Sequence, residues 1–475
     1  MVWITFQALV VRLSGVVIFL VLARLLVPAA FGLLAAAQVF VALSRALAEA
    51  GLSRTLVQKP TLRAAHLDSA FLVSGIIGTL LALVMAASAP LVADLYNLPG
   101  LTPVLLALSV VPLLVGLSNV PDAILSRQLM FRALAVRGMY AVVSAGVVGI
   151  ALAFLGAGAW ALVAQVITQA VVAFVVLWVS ARWKPGRQWE GPAIRELLGF
   201  GSHVVGIGLL NFFNRRAGEL LIGVVLGPVA LGLYAVAMRV LTLTLDLLIN
   251  NVNKIAWPVF SRVAHQPERL RSVYLRSVAI TTLCAFPGFT ILGLFGNPLT
   301  PLIFGQQWTQ AGPLMTALAF IGPVQSIAMF NNGMLLATGY SRRALAWTAM
   351  LAVANFLAFA AAVTFGVLAV AIAYVAVNWL LLPVGLHLVR SVSTVGLRDQ
   401  LGVMVVPLLG CVVMTIGVLV FQELTDLDQI TEVIIGVPIA VLLYAATTLP
   451  FRWDLVTTGL AQLRQGRGVR VSAPS

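Results

Sequence analysis

The stretch that decides the fold is "NFFNRRAGELLIGVVLGPVALGLYAVAMRV", residues 211–240. It is mostly apolar, as are the residues on either side of it, and is interrupted by a single glycine-proline pair that starts at Gly227. A helix of about twenty apolar residues crosses a hydrocarbon core about 30 Å thick, so the stretch predicts two membrane spans that meet at this pair. Three charges, Arg215, Arg216 and Glu219, fall near the middle of the first span, where charge is costly.

The rest of the chain has the same character. Of 475 residues, 61% are hydrophobic and 9% are charged, whereas about a quarter of a soluble domain is charged. This composition excludes a soluble fold and predicts an all-α polytopic membrane protein with about fourteen transmembrane helices. We place the helices at residues 3–24, 30–48, 67–92, 101–125, 138–155, 159–180, 200–226, 229–252, 273–296, 311–337, 344–364, 367–388, 401–421 and 430–450.

The basic residues fix the expected orientation. The net charge is +14, and Lys and Arg fall in alternate connections between the spans, whereas the other connections contain none. By the positive-inside rule both termini are cytoplasmic. In a soluble protein this charge would suggest nucleic acid as a partner. Here we interpret it as topology signals and contacts to anionic membrane lipids, and we expect no nucleic acid partner.

The sequence contains an internal repeat. "VPAAFGLLAAA" from Val27 and "GPVALGLYAVA" from Gly227 share one proline, one glycine, one leucine and three alanine positions at a constant offset of 200 residues. Both copies open an even-numbered span, so they predict two parallel six-helix repeats plus two C-terminal helices. The predicted domains are an N-lobe at 1–180, a cytoplasmic linker at 181–199, a C-lobe at 200–390, and helices 13 and 14 with a basic cytoplasmic tail at 391–475.

The linker "RWKPGRQWEGPAIRELLGF" carries Trp183 and Trp189 among basic residues. This mixture of aromatic and basic side chains suggests an amphipathic segment on the inner membrane surface. The same residues are also what a plain topology determinant would show.

Polar side chains follow helical spacing on three predicted spans and form polar stripes that should face a cavity or another helix. An Arg at mid-membrane costs about 2.5–3.5 kcal/mol on insertion scales, so these residues need partners. Arginine outnumbers acid, which favours a cationic cavity for an anionic ligand, because Arg binds phosphate through two parallel hydrogen bonds. The candidate substrate-binding residues are Arg215, Arg216, Arg239, Arg12 and Arg24, with Glu219 and Asp246 as charge partners. Polar residues that could line the cavity are Asn211, Asn214, Gln38, Arg45, Glu49, Gln325 and Asn332.

A purely structural role is the alternative for these residues. Salt bridges between helices could fix packing, and long Arg side chains could extend to the membrane interface. The amides of Gln325 and Asn332, together with Asn331, could equally hydrogen-bond between helices.

The sequence contains no motif for nucleotide hydrolysis or for metal binding. There is no G-x-x-x-x-G-K-[ST] phosphate-binding loop, and the four histidines, at 66, 203, 265 and 387, show no metal-ligand spacing. We therefore expect no cofactor, no metal and no catalytic residues, and we do not expect an enzyme. An ion gradient, the membrane potential or consumption of the product would drive transport.

Several segments together resemble a known family. "VLARLLVPAAFGLLAAAQVF", "AEAGLSRTLVQKP", residues 211–240, "PVFSRV" and "GQQWTQAGPLMTALA" are similar to the polysaccharide-exporter branch of the multidrug/oligosaccharidyl-lipid/polysaccharide flippase superfamily, near the Wzx-type lipopolysaccharide and teichuronic acid exporters. The resemblance implies a flippase of the bacterial cytoplasmic (inner) membrane that moves undecaprenyl-diphosphate-linked saccharides to the outer leaflet by alternating access. It places Arg215, Arg216 and Arg239 in a cationic cavity between the lobes.

The partners implied are the lipid-linked saccharide, membrane lipids, and a polysaccharide polymerase or glycosyltransferases. Two other functions remain open at this point. A multidrug or small-solute antiporter of the same superfamily would favour an acidic cavity. A membrane glycosyltransferase or polymerase would need reactive residues on a large loop, and only "QELTDLDQITE" at 422–432 offers carboxylates there.

Overall fold

The computed structural model describes residues 2–49, 53, 56–57, 63–425 and 427–465 and is helical nearly throughout. The α-helices of the described part are α1 Val2–Leu25, α2 Pro28–Glu49, α3 Ala64–Leu95, α4 Leu101–Leu108, α5 Val110–Arg127, α6 Phe131–Phe154, α7 Ala159–Ala181, α8 Gly191–Leu245, α9 Asn251–Val263, α10 Pro267–Phe304, α11 Gly312–Ala319, α12 Ile321–Ala337, α13 Ser341–Ala362, α14 Val367–Arg390, α15 Leu397–Leu424 and α16 Gln429–Gln465. A π-helical turn, Asp246–Asn250, follows α8, and a 3-10 turn, Gln306–Ala311, precedes α11.

The prediction of an all-α protein with many potential membrane spans is confirmed. Within the described ranges, 11 helices are long and apolar enough to cross a membrane, or up to 12 if the bent pair Gln306–Ala319 and Ile321–Ala337 forms one span. The bend between the two members of that pair is 47°. The division into fourteen spans stays a prediction.

The long helix α8 contains the junction predicted at the glycine-proline pair. Gly227 has φ 79° and ψ −174°, which lies outside helical geometry. A positive φ strains any residue with a Cβ, whereas glycine adopts it freely. Pro228 then supplies a fixed φ at the start of the following helical segment. The local sequence thus separates the two halves of α8.

The segment between α7 and α8 differs from the prediction. Residues 182–190 form no helix, and α8 begins at Gly191 rather than near residue 200. That this segment lies on the inner membrane surface stays a prediction. Pro192 explains the early start, because proline is favoured in the first helical turn, where no intrahelical partner is lost. Side-chain acceptors on α3 hold residues 182–190 instead. Gly186 N–H donates to Asp68 Oδ1 at 2.9 Å and Gln188 N–H donates to Asp68 Oδ2 at 3.1 Å.

The chain forms two compact units. The first contains residues 1–236, 303–310 and 352–370, and the second contains 237–302, 311–351 and 371–475. In the first unit, Ile18, Leu22 and Leu162 belong to one apolar cluster of its core. In the second, a larger cluster surrounds Phe260, Tyr274 and Phe330, and all three are fully buried. The lobes at 1–180 and 200–390 are defined by sequence repetition and remain a prediction.

Small residues allow close helix packing in the first unit. A Cβ added at Gly116 of α5 would lie 2.4 Å from the backbone oxygen of Ser74 on α3. A Cβ at Gly78 would in turn lie 2.9 Å from the oxygen of Pro112. Backbones approach this closely in membrane helices because lipid supplies no hydrophobic drive for association, and packing must do so.

Candidate functional site

A buried ion pair lies at the middle of the stretch that opened the sequence. Arg216 Nη1 is 2.5 Å from Glu219 Oε2 along α8, an i,i+3 pair. Glu219 is 8% exposed, while the Arg216 side chain is 34% exposed. The pair therefore has a protected acid and a base that remains accessible. Such an Arg keeps donors free for a second anionic group while Glu219 holds its position.

Aromatic rings close around this ion pair. A Cβ at Gly218 would lie 3.2 Å from the Tyr234 hydroxyl and 3.3 Å from the Phe359 ring. A Cβ at Gly223, one turn beyond Glu219, would lie 2.4 Å from the ring of Tyr96. The two glycines let the rings pack directly on the α8 backbone. The Tyr96 hydroxyl is buried and has no hydrogen-bond partner within the described part of the chain.

The other predicted residues of the first unit occupy varied positions. Arg12 and Arg45 are partly buried, as is Gln38, whereas Arg24 is exposed at the end of α1. Four predicted side chains lie outside the described residues: Glu49, Asn211, Asn214 and Arg215. Their roles remain predictions.

In the second unit, Arg239 is exposed and Asp246 is partly buried in the π-helical turn. Asn250 donates a side-chain hydrogen bond to Asp246. No ion pair joins Arg239 to Asp246 among the described residues, so the guanidinium of Arg239 keeps its donors available. Asn332 and Gln325 are partly buried on α12.

A buried polar network on the second unit shows that one amide has a structural role. The Tyr274 hydroxyl is 2.6 Å from Asn331 Oδ1 and 3.2 Å from Gln400 Oε1. The three residues join α10, α12 and α15 and are each at most 2% exposed. For Asn331, hydrogen bonding between helices therefore accounts for its position. Neighbouring Asn332 keeps a buried Oδ1 without a partner in the part of the chain that the structure describes.

The two copies of the internal repeat contact each other reciprocally. A Cβ at Gly32 would lie 1.7 Å from the carbonyl oxygen of Pro228, and a Cβ at Gly232 would lie 2.0 Å from the carbonyl oxygen of Pro28. We call this contact the glycine crossing. Gly32 of the first copy meets Pro228 of the second, and Gly232 of the second copy meets Pro28 of the first. Two copies that pack around a twofold axis make reciprocal contacts of this kind. The sequence showed the repeat but not this contact.

Sequence reasoning also missed a contact made by the segment before α11. Trp308 is fully buried, and its Nε1 donates to the carbonyl oxygen of Ala23 at 2.7 Å. Gln307 Nε2 donates to the carbonyl oxygen of Arg24 at 3.1 Å. These bonds satisfy carbonyls at the C-terminus of α1, which have no intrahelical partner. The "GQQWTQAG" segment was quoted for its resemblance, but nothing in it indicated α1 as its partner.

A family model described as "Polysaccharide biosynthesis protein" matches residues 21–313, more than half of the chain. The chain belongs to this family. The match contains the glycine crossing, the Arg216–Glu219 ion pair and the Trp308 segment. The family resemblance drawn from the sequence is therefore confirmed.

Curated relatives carry names that agree with the family. The teichuronic acid biosynthesis protein TuaB of Bacillus subtilis is 24% identical over 69% of this chain and 68% of its own length. The lipopolysaccharide biosynthesis protein WzxC of Escherichia coli is 22% identical over 70% and 68%. The succinoglycan biosynthesis transport protein ExoT of Rhizobium meliloti is 28% identical over 63% and 60%.

Two solved structures share the fold. The lipid II flippase MurJ in an inward closed conformation aligns with a TM-score of 0.79, 13% identity, and 96% of this chain and 100% of that one. An inward-facing multidrug resistance transporter of the MATE family aligns with a TM-score of 0.63 and 16% identity over 81% and 94%. At these identities the alignments establish the fold.

Proposed function

We propose that this protein is a flippase of the bacterial cytoplasmic membrane that translocates polyprenyl-diphosphate-linked saccharide units for cell-surface polysaccharide synthesis. The observation that carries the proposal is membership of a polysaccharide biosynthesis family whose relatives are named for polysaccharide synthesis and transport. The fold adds support, because a lipid II flippase aligns over nearly the whole chain. Both findings favour a transporter over a glycosyltransferase or polymerase.

The binding residues are proposed from charge. Arg216 keeps exposed donors beside a buried acid, and Arg239 is exposed on the second unit. Together with Arg215 and with help from Arg12, they would bind the diphosphate through charge-assisted hydrogen bonds. The prenyl chain would stay in lipid. Arg24, at the exposed end of α1, would meet the saccharide as it leaves.

The transport cycle is proposed to be alternating access between two parallel six-helix lobes, residues 1–180 and 200–390. Residues 181–199 would join them, and 391–475 would add helices 13 and 14 and the basic tail. The glycine crossing supports this arrangement because its contacts are reciprocal between the repeat copies. With both termini cytoplasmic, the crossing lies on the outer side and closes it. Reporter fusions at both termini and in each connection would test the orientation.

Loss of the protein provides the test of function. Cells that lack it but retain glycan synthesis should accumulate the diphosphate-linked repeat unit at the cytoplasmic face, and mass spectrometry of extracted lipids would identify it. Unchanged lipid-linked saccharides together with unchanged surface glycan would overturn the proposal and favour the multidrug or small-solute antiporter. A polysaccharide polymerase and glycosyltransferases are the proposed functional partners.

The residues have their own test. Replacing Arg215 and Arg216 together by Ala should abolish export at normal protein level, because the diphosphate would lose its donors. Export that persists in this variant, with the lipid-linked saccharide still identified as cargo, would reject the site and keep the function.

A further inference from the structure

A groove on the first unit lies away from the arginine site. It runs along α3 from Phe71 to Leu83, is completed by Leu117 of α5, and is covered at one end by residues 185–189. We call residues 182–190 the strap. The groove has a volume of about 670 Å³, within the range of about 300–1,000 Å³ that is typical of ligand pockets. Its wall is mostly apolar and includes the small residues Gly75 and Thr79.

The strap is built into a defined position over the groove. Asp68 is 5% exposed, and both of its oxygens accept backbone N–H groups of the strap. The Glu190 N–H donates to Ser69 Oγ at 3.1 Å. A Cβ at Gly186 would lie 2.4 Å from Asp68 Oδ2, so a larger residue there would have to displace the Asp68 carboxylate. Trp183 anchors the strap further by packing edge-on against Phe71 at 5.5 Å.

Basic residues outnumber acidic residues on the strap. Its basic residues, Arg182, Lys184 and Arg187, are all exposed. Its one acid, Glu190, is paired with Arg63 at 3.6 Å. Asp68 beneath the strap accepts backbone N–H groups and forms no ion pair with these side chains among the described residues. Three basic residues therefore stand against two acids at the strap. Arg187 is also part of the groove lining, which places a cation where the apolar channel meets the polar strap.

The length of the groove matches one leaflet. Phe71 and Leu83 are separated by about 18 Å along the helix axis at 1.5 Å per residue, and half of a hydrocarbon core is about 15 Å. A chain that enters at the strap would therefore end near the middle of the bilayer. Exposed apolar side chains continue along this face, with Ile76, Leu80 and Leu83 each about 60% exposed.

We propose that this groove binds one acyl chain of an anionic phospholipid of the bilayer, with the lipid phosphate held by Arg187 and Lys184. Charge complementarity selects an anionic headgroup, and the one-leaflet length selects an acyl chain. None of the residues that line the groove belongs to the proposed arginine site, so we take the occupant to be a structural lipid and not the transported molecule. Because the strap leads directly into α8, the bound lipid stabilises the connection that precedes the Arg216–Glu219 ion pair.

Photo-crosslinking of the full-length protein in vesicles tests the proposal. The probes are phosphatidylglycerol and phosphatidylcholine, each carrying a diazirine in the acyl chain, and labelled peptides are mapped by mass spectrometry. Phosphatidylglycerol should label residues 71–83 more than phosphatidylcholine does. R187E should lower that labelling by at least about fivefold, the effect of one basic residue on an anionic lipid. The matched control, R342E, changes an exposed basic residue outside the groove and should label like the parent.

A second pair of variants separates the groove from the headgroup. Thr79 and Val84 are both exposed on α3, but only Thr79 lines the groove. T79W should block labelling of residues 71–83, whereas V84W should not. Equal labelling by both lipids, or labelling unaffected by R187E and T79W, would overturn the proposal. Displacement of the probe by a polyprenyl diphosphate at lower concentration than by phosphatidylglycerol would also overturn it. None of these outcomes changes the result expected in the export assays, so the proposed function is tested separately.

Discussion

The glycine crossing makes a sharp prediction about how the protein opens. Replacing Gly32 by Ala adds a methyl group 1.7 Å from the carbonyl oxygen of Pro228, where real Cβ atoms essentially never come within 3.0 Å. The two backbones must separate by at least about 1.3 Å, and neither partner is a flexible side chain that could rotate away. G232A meets the same obstacle at 2.0 Å from the oxygen of Pro28.

The cost sets the size of the effect. Overpacking of this kind costs about 1–3 kcal/mol. If the crossing exists only in the outward-closed state, the whole cost falls on that state, and the ratio of closed to open molecules falls about 5-fold to 150-fold. G15A is the matched control, because nothing lies within 4 Å of its added methyl group. It should leave the equilibrium unchanged.

A cysteine reports the opening. Cys284 and Cys411 are first replaced by Ser, and Ala36, which is 0% exposed one turn beyond Gly32, becomes the single cysteine. A membrane-impermeant maleimide added outside should label this cysteine faster in G32A by the same factor. If G32A is labelled at the rate of the parent and has the thermal stability of the parent, the crossing tolerates a methyl group. If G32A is labelled at the rate of the parent but is less stable, the crossing persists in every state of the protein. That result would refute its role as a gate.

Three further predictions concern the site and its surroundings. E219Q leaves the Arg216 charge without its acid, so export should fall and the free energy of unfolding should drop by about 1–3 kcal/mol, measured by thermal unfolding; parental values for both would remove the pair from the mechanism. W308F removes the hydrogen bond to Ala23 and also part of the buried ring system, so it should cost at least about 1 kcal/mol of stability in the same assay, and no loss would refute that role. A hydrogen bond from the Thr431 hydroxyl lowers the pKa of Asp428. The Asp428 carboxylate therefore stabilises the start of α16 when the pH is above the pKa that Asp428 has in the unfolded chain. This stabilisation is lost as the pH falls through the pKa that Asp428 has in the folded protein. D428A should therefore lower stability at neutral pH, should match the parent at acidic pH, and should not change glycan chain length, whereas a changed chain length would favour a polymerase.

Much of the architecture could be predicted because apolar length alone dictates it. Every predicted span overlaps a helix of the described part, since in lipid a helix satisfies every backbone group internally. The break at Gly227 was readable from its glycine-proline pair. The ends of the spans were less predictable. α8 starts early at Gly191 because acceptors on α3 hold the strap and leave Pro192 to open the helix.

The candidate site was predictable in part. A buried acid beside Arg215 and Arg216 was expected from the high cost of mid-membrane charge, and the structure pairs Glu219 with Arg216. Two of the aromatic rings that pack on α8 beside the pair come from residues 96 and 359, far away in sequence. No periodicity within α8 could indicate them.

The sequence by itself determined the apolar spans, the excess of arginine over acid within them and the internal repeat, because these depend on composition and on spacing within single segments. Only the tertiary structure decided that Gly32 meets Pro228, that Trp308 binds the end of α1, and that Asp68 holds the strap over an apolar groove. Each of these contacts joins segments that are far apart in the chain. Their partners are selected by packing between helices, which leaves no periodic mark in the sequence of either segment.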